Sequence, residues 1–154
     1  YWVFAHNGDL KDFRPRLHGN FHPVGNTDSE HAFCWLMQEL AKSHADVPSV
    51  DELTLTLREL APRIAREGTF NFMLSNGQAL WAHASTNLWH IERQHPFMAA
   101  QLADEDLSID FAEHTTHSDR VAVVVTAPLT TNEAWVAFAP GELRVFVDGR
   151  LQRR

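Results

Sequence analysis

A chain of 154 residues, 44% apolar and 21% charged, has the composition of one globular domain and excludes a wholly disordered, collagen-like or mucin-like protein. Its net charge of -7 repels phosphate backbones and anionic lipid, and no apolar run reaches the length of a spanning helix, so neither nucleic acid nor membrane is an expected partner. The lone cysteine, Cys34, can form no internal disulfide, which fits a reducing compartment and makes the cytoplasm the expected location.

The chain opens on Tyr1-Trp2-Val3-Phe4-Ala5-His6, whose aromatic and β-branched content predicts a strand buried on both faces and already under way at the first residue. Asn7-Gly8 ends it. From Asp9 to Asn26 the composition is polar and rich in turn residues, with Pro15, Gly19, Pro23 and Gly25, so a surface loop is expected. That loop is either solvated or, through His18 and His22, a flap over a substrate pocket. Thr27 with Glu30 forms a capping box, in which hydroxyl and carboxylate each satisfy an orphan amide and start a helix. Phe33, Leu36, Met37, Leu40 and Ala41 then recur at helical spacing as one apolar stripe toward His44. A second box, Ser49 with Glu52, opens a helix striped by Leu53, Leu57, Leu60, Ala61 and Ile64 and closed by Gly68. Pro62 brings no backbone donor to that helix and predicts a kink or a division into two shorter helices.

Residues 69–75 and 78–85 flank Asn76-Gly77, the signature of a hairpin whose turn needs positive φ at both positions. Residues 88–93 continue as a third strand, the valine-rich 121–126 predicts a strand covered on both sides, and 142–147 a final one. Asp148-Gly149 then turns the chain into a basic tail, 150–154. Strand, two helices and several mostly antiparallel strands make an α+β fold with a helical layer on a sheet. Trp81, Trp89, Trp135 and Phe146 are expected to pack that sheet against its helices.

Asn-Gly after a strand is most often a turn, as at Asn76-Gly77. The flanks of Asn7-Gly8 differ, because Asp9-Leu10-Lys11-Asp12-Phe13 carries no strand pattern, which places Asn7-Gly8 at a strand end. There an Asn carboxamide and a glycine amide can offer two donors to one point, the requirement of an oxyanion hole. Asp28 in the first helical turn is favoured by the helix dipole without any function, or it presents a carboxylate to a substrate ammonium. His6 is expected to be packed and hydrogen-bonded, positioning the loop. His114 and His117, with Asp110 and Asp119 nearby, have no scaffold to converge them, nor have His31 and Cys34, so no metal and no cofactor are expected. Cys34 lies mid-helix beside Phe33 and Leu36, the setting of an inert thiol.

His6-Asn7-Gly8 after an aromatic-rich strand, followed by Thr27-Asp28-Ser29-Glu30 opening a helix, resembles the class II glutamine amidotransferases. The resemblance continues through Thr126-Ala127-Pro128-Leu129-Thr130, Trp135 and Pro140-Gly141-Glu142, and so spans most of the chain. The helix at Ala32-Phe33-Cys34-Trp35-Leu36 looks most like the compact stand-alone members. The resemblance implies a four-layer α/β/β/α sandwich of the N-terminal-nucleophile hydrolase type. It also implies attack on the side-chain amide of glutamine, or a related γ-glutamyl amide, by an N-terminal cysteine whose own α-amine relays protons. In that scheme the Asn7 side chain and the Gly8 backbone amide would stabilise the oxyanion, and Asp28 would pair with the substrate's α-ammonium. The nucleophile and the residues holding the substrate carboxylate would belong to strands preceding Tyr1. Residues 1–154 are therefore expected to be the C-terminal portion of a single domain, inactive alone and completed by an upstream segment of the same protein. The alternative is a non-catalytic binding or scaffold domain that keeps a glutamine-type pocket. Oligomeric state is left open by the sequence.

Overall fold

A computed structural model describes residues 1–104 and 108–152. Arg153 and Arg154 of the expected basic tail lie outside the described residues. The first strand, β1 (Val3–Asn7), is followed by two helices, α1 (Asp28–Ser43) and α2 (Val50–Ala65), and by the hairpin β2 (Asn71–Ser75) and β3 (Leu80–Ala84). The chain continues through β4 (Trp89–Gln94), β5 (Ala99–Gln101) and β6 (Ser108–Asp110), then a 3-10 turn at Phe111–His114. It finishes with β7 (Arg120–Val125), β8 (Val136–Ala137), β9 (Glu142–Val147) and β10 (Arg150–Leu151). A five-stranded sheet runs β1-β2-β3-β9-β10, a three-stranded sheet β7-β4-β8, and β5 pairs with β6, all antiparallel.

Both helices begin where the capping boxes predict. The Thr27 hydroxyl accepts from the Glu30 amide and Ser49 from that of Glu52, while each glutamate reaches back to its cap residue. Leu36, Leu40, Leu53, Leu57, Leu60 and Ile64 meet Phe70, Phe72, Leu74 and Trp81 in one core between the helices and the large sheet. Trp81 is fully buried there, its indole N–H donating to Thr54 Oγ1 at 2.8 Å. The hydroxyl on α2 gives the polar tip of the tryptophan a partner that aliphatic neighbours lack. Pro62 does not divide α2, which runs unbroken through it. Its ring is exposed, so the carbonyl that loses a helical donor faces solvent, where the loss is small.

The stripe on α1 is wider than one face. Cys34 and Gln38 are buried as well as Ala32, Leu36 and Leu40, while Ala41 is exposed. The reason is the 9–26 segment, which straps the outer side of α1. Gln38 accepts from the His18 amide at 2.6 Å and donates to the Arg16 carbonyl at 3.4 Å, and the rings of Phe13 and Trp35 meet edge to face. A segment without regular structure needs such partners for its backbone, and one glutamine carboxamide supplies two.

Three expectations about strands are corrected. β1 is buried on one face only: Trp2, Phe4 and His6 face the helices, whereas Val3 is 66% exposed and Ala5 is open. The strand is an edge of the five-stranded sheet, and the second sheet does not extend over it. That second sheet packs on the far face of β3 and β9 through Ala82, Ala84, Leu88, Phe138 and Phe146, with Ala122 and Val124 of β7 against them. β7 turns Ala122 and Val124 toward that interface and is fully buried on neither side, with Val121 exposed and Val123 and Val125 half-buried on the other face. Phe146 therefore packs between the sheets, and Trp135 donates to Thr130 in a loop instead of reaching a helix. The hairpin around Asn76-Gly77 is present, but strand pairing ends at Ser75 and Leu80, so its loop has four residues. Only Gly77 has positive φ, and the Asn76 carboxamide accepts from the amides of Gln78 and Ala79. The two-residue turn with positive φ at both positions is Asp148-Gly149, which joins β9 to β10.

Candidate functional site

Where β1 runs out, its last residues are held from two sides. His6 Nε2 lies 2.9 Å from the Thr69 carbonyl, which can only accept, so this nitrogen carries the proton. In the neutral ring Nδ1 is then an acceptor, and it takes the Ser29 hydroxyl at 2.9 Å. Gly8 follows with φ of +152°, and a Cβ there would collide with the Thr69 carbonyl and come within 2.9 Å of His6 Nε2. The turn continues alongside the segment entering β2: the Thr69 amide donates to Asp9 and the Lys11 amide to Glu67. Leu10, buried in the core, bridges to Gly68.

The second motif closes on the first. Asp28, at the start of α1, accepts from the Leu10 amide through Oδ2 at 2.8 Å and from the Ser29 amide through Oδ1 at 2.8 Å. Partial burial alone would raise the Asp28 pKa; the two backbone amides and the nearby His6 outweigh it and hold the carboxyl below its ordinary value. The carboxylate is thus charged at neutral pH, and two amide contacts leave it with unused acceptor capacity. Glu30 is also held low, first by the Gly25 amide and then by Thr27, so the helix start carries two carboxylates.

Asn7 is exposed, and its carboxamide makes no hydrogen bond among the described residues. Directly across the strand pair stands Asn71, whose side chain is spent: it accepts from the amides of Ser85 and Thr86 and donates to the Thr86 hydroxyl. The structure thus links the Asn7-Gly8 turn to Asp28 through Leu10 and through His6 and Ser29. Ser29, Thr69 and Asn71 were not singled out from the sequence. Ser29 belongs to the Thr27-Asp28-Ser29-Glu30 motif, but a serine in a first helical turn carries no special signal. Thr69 acts through its main chain, and Asn71 becomes visible only once the β1–β2 register is known.

The other candidates do not join this cluster. Asp110 accepts from the Ala112 amide and Asp119 from that of Thr116, so each serves its own turn. His117 lies against His95, with ring centroids 3.8 Å apart. Among the described residues no three His, Cys, Asp or Glu side chains converge to hold a metal ion, and no helix is long and apolar enough to cross a membrane. Cys34 is buried, and burial together with the nearby Glu30 pushes its thiol pKa up, away from the nucleophilic thiolate.

Two helices on mostly antiparallel sheets, with a second sheet stacked behind the first, define an α+β sandwich of the N-terminal-nucleophile type, and the same fold is found in a solved structure. The crystal structure of a predicted glutamine amidotransferase from Pseudomonas aeruginosa matches with a TM-score of 0.88 and 39% identity, over 100% of this chain and 60% of that one. A glutamine aminotransferase class-II domain protein from Silicibacter pomeroyi matches at a TM-score of 0.52 and 19% identity, over 99% of this chain and 65% of that one, which bears on fold alone. In sequence, the chain is 44% identical to YafJ of Escherichia coli over 149 residues, 96% of this chain and 58% of that protein. It is 40% identical over 148 residues to a Haemophilus influenzae protein assigned by name to the glutamine amidotransferases, 96% of this chain and 50% of that one. The family model described as class-II glutamine amidotransferases matches residues 1–154. The chain belongs to that family. It spans between half and three-fifths of the length of these curated relatives.

Proposed function

We propose that residues 1–154 form the C-terminal portion of a single glutaminase domain and carry the oxyanion and substrate-ammonium side of its active site. The observation that carries this reading is the bonding of Leu10 to Asp28 and of His6 to Ser29, which ties the Asn7-Gly8 strand end to the helix start. A thiolate attacking the side-chain carbonyl of glutamine creates a tetrahedral oxyanion, for which the Asn7 carboxamide and the Gly8 amide are the donors. Collapse expels the amide nitrogen as ammonia once it is protonated, and water then cleaves the thioester to glutamate. Asp28 selects a free amino-acid substrate by pairing with its α-ammonium. Cys34, buried and with a raised pKa, does not supply the thiolate. The nucleophile is assigned to a cysteine in an upstream segment of the same protein, and this chain alone is inactive. The substrate is glutamine or a related γ-glutamyl amide, and the protein works in the cytoplasm.

The decisive experiment is glutamine hydrolysis by the intact protein together with its N-terminal residue by mass spectrometry. A cysteine exposed after removal of the initiator methionine, and ammonia release lost on its replacement by alanine, are the expected results. A first residue without a nucleophile and no ammonia release reject the enzyme reading in favour of a scaffold that keeps the pocket. Asn7→Ala in the active protein lowers kcat by about a hundredfold or more, as loss of one oxyanion donor does elsewhere.

A further inference from the structure

Among the described residues, one buried side-chain polar atom has no hydrogen-bond partner: His83 Nε2. His83 lies on β3, 1% exposed, with its ring stacked on Phe72 at 5.4 Å. Its Nδ1 stands 2.9 Å from the Phe70 carbonyl, an obligate acceptor, so Nδ1 bears the proton and Nε2 is left as a bare lone pair. Burial keeps the imidazole pKa below its ordinary value, against the smaller opposing pull of the Phe70 carbonyl, so the ring stays neutral. A buried acceptor that finds no donor is unusual in a native fold and asks for a reason.

The residue forms part of the wall of a cavity of about 760 Å³ between the second half of α2 and strand β9, which Leu143 and Val145 line from the other side. From α2 the same wall receives Pro62 and Arg58. Arg58 makes no ion pair or side-chain hydrogen bond among the described residues. One cavity therefore presents a free guanidinium together with a buried acceptor in want of a donor. None of Asn7, Gly8 and Asp28 lines it.

We propose that this cavity binds a small zwitterion of the α-amino-acid type, its ammonium donating to His83 Nε2 and its carboxylate accepting from Arg58. The guanidinium fork suits a carboxylate, and a donor-rich ammonium answers the lone pair that no described residue answers. The site is separate from the proposed glutaminase centre and does not depend on its assignment.

The test is calorimetric titration of the intact protein carrying Asp28→Asn, which weakens the proposed glutamine site. The probes are glycine, L-glutamate and L-glutamine, with acetate and methylammonium as single-charge controls. Saturable one-to-one binding of at least one amino acid and of neither control is expected. Arg58→Met, a surface change that leaves the core intact, weakens that binding at least tenfold. His83→Asn, whose amide can still donate to the Phe70 carbonyl but lacks Nε2, does the same, and the ¹⁵N resonance of His83 Nε2 moves on saturation. No saturable heat in the tens of millimolar, heat indifferent to Arg58→Met, or binding seen in the wild type and abolished by Asp28→Asn overturns the proposal, the last because the ligand then sits at the glutaminase centre.

Discussion

Replacing Gly8 by alanine is the sharpest perturbation the structure offers, because two costs fall on one atom. The residue has φ of +152°, inside the region L-residues avoid, and a new Cβ would overlap the Thr69 carbonyl. Relief requires the end of β1 to move away from the segment entering β2, which takes the His6 bond to the same carbonyl with it. Backbone strain of order 1–3 kcal/mol and a lost hydrogen bond of about 1 kcal/mol give an expected destabilisation of about 2–4 kcal/mol. Urea unfolding of the intact protein measures it. Gly77→Ala is the control, since φ there is also positive but a Cβ meets nothing within 4 Å, so about 1–2 kcal/mol of strain stands alone. In a glutaminase assay under conditions where the variant is folded, displacement of the Gly8 amide costs about a hundredfold in kcat, as an ångström of misplacement does. Equal destabilisation by Gly8→Ala and Gly77→Ala would refute the argument from collision, and unaltered turnover in Gly8→Ala would refute the placing of its amide at the oxyanion.

Asp28→Asn keeps one carbonyl oxygen for the two amides the carboxylate now serves, so it raises KM for glutamine and also lowers stability by about 1–2 kcal/mol; kinetics and unfolding are read on the same preparation, and an unchanged KM removes Asp28 from substrate binding. Thr54→Val leaves the buried Trp81 indole N–H without its partner and destabilises by about 1–3 kcal/mol, whereas Thr54→Ser keeps the bond and loses less, which thermal unfolding distinguishes. Stability also falls with acid in two separable stages. Burial depresses the folded-state pKa of His83, and burial and Arg144 depress that of His90, so as pH drops through the unfolded-state value near 6.5 the unfolded chain takes up protons that the native one refuses. Stability from these groups is full above about pH 7 and declines through the window beneath 6.5. Asp28, Glu133 and Glu142 have lowered pKa values and contribute above the ordinary carboxylate range, with loss as pH falls below about 4. Denaturation midpoints flat from pH 7 to pH 5 would contradict the histidine part.

What could be read from the sequence was local. Both helix starts were legible because a capping box writes its hydrogen bonds into residues three apart, and both boxes form. Hairpin connectivity at Asn76-Gly77 was legible for the same reason, but its turn geometry was not: Asn76 reaches forward to Gln78 and Ala79, a choice the dipeptide alone does not reveal. Burial on the two faces of a strand depends on what lies above and below it. The apolar run of β1 reads as doubly covered, yet its position at the sheet edge leaves Val3 exposed. The short strands β5, β6, β8 and β10 carry too few residues for any period to register. Gln38 on α1 is a polar residue on what reads as a solvent face, and only the tertiary strap of the 9–26 segment explains its burial.

The Thr69 carbonyl explains why the turn after β1 carries the residues it does. His6 bonds to it and Gly8 packs against it, while the Thr69 amide is fixed to Asp9, so one residue of the β2 approach holds the turn through both of its main-chain groups. Asp28 secures the far side through Leu10. Of the trio His6-Asn7-Gly8, the first is consumed by hydrogen bonds and the third by steric fit, which leaves the Asn7 carboxamide unspent on a strand end that cannot easily move. A donor for a developing charge has to be free of protein partners and yet fixed in place, since reorganisation at the moment of reaction is what preorganised sites avoid. A side chain that is merely exposed on a surface turn meets the first condition and fails the second. Asn76 illustrates the contrast, because its carboxamide is spent on its own loop, so the same Asn-Gly pair there is a turn and nothing more.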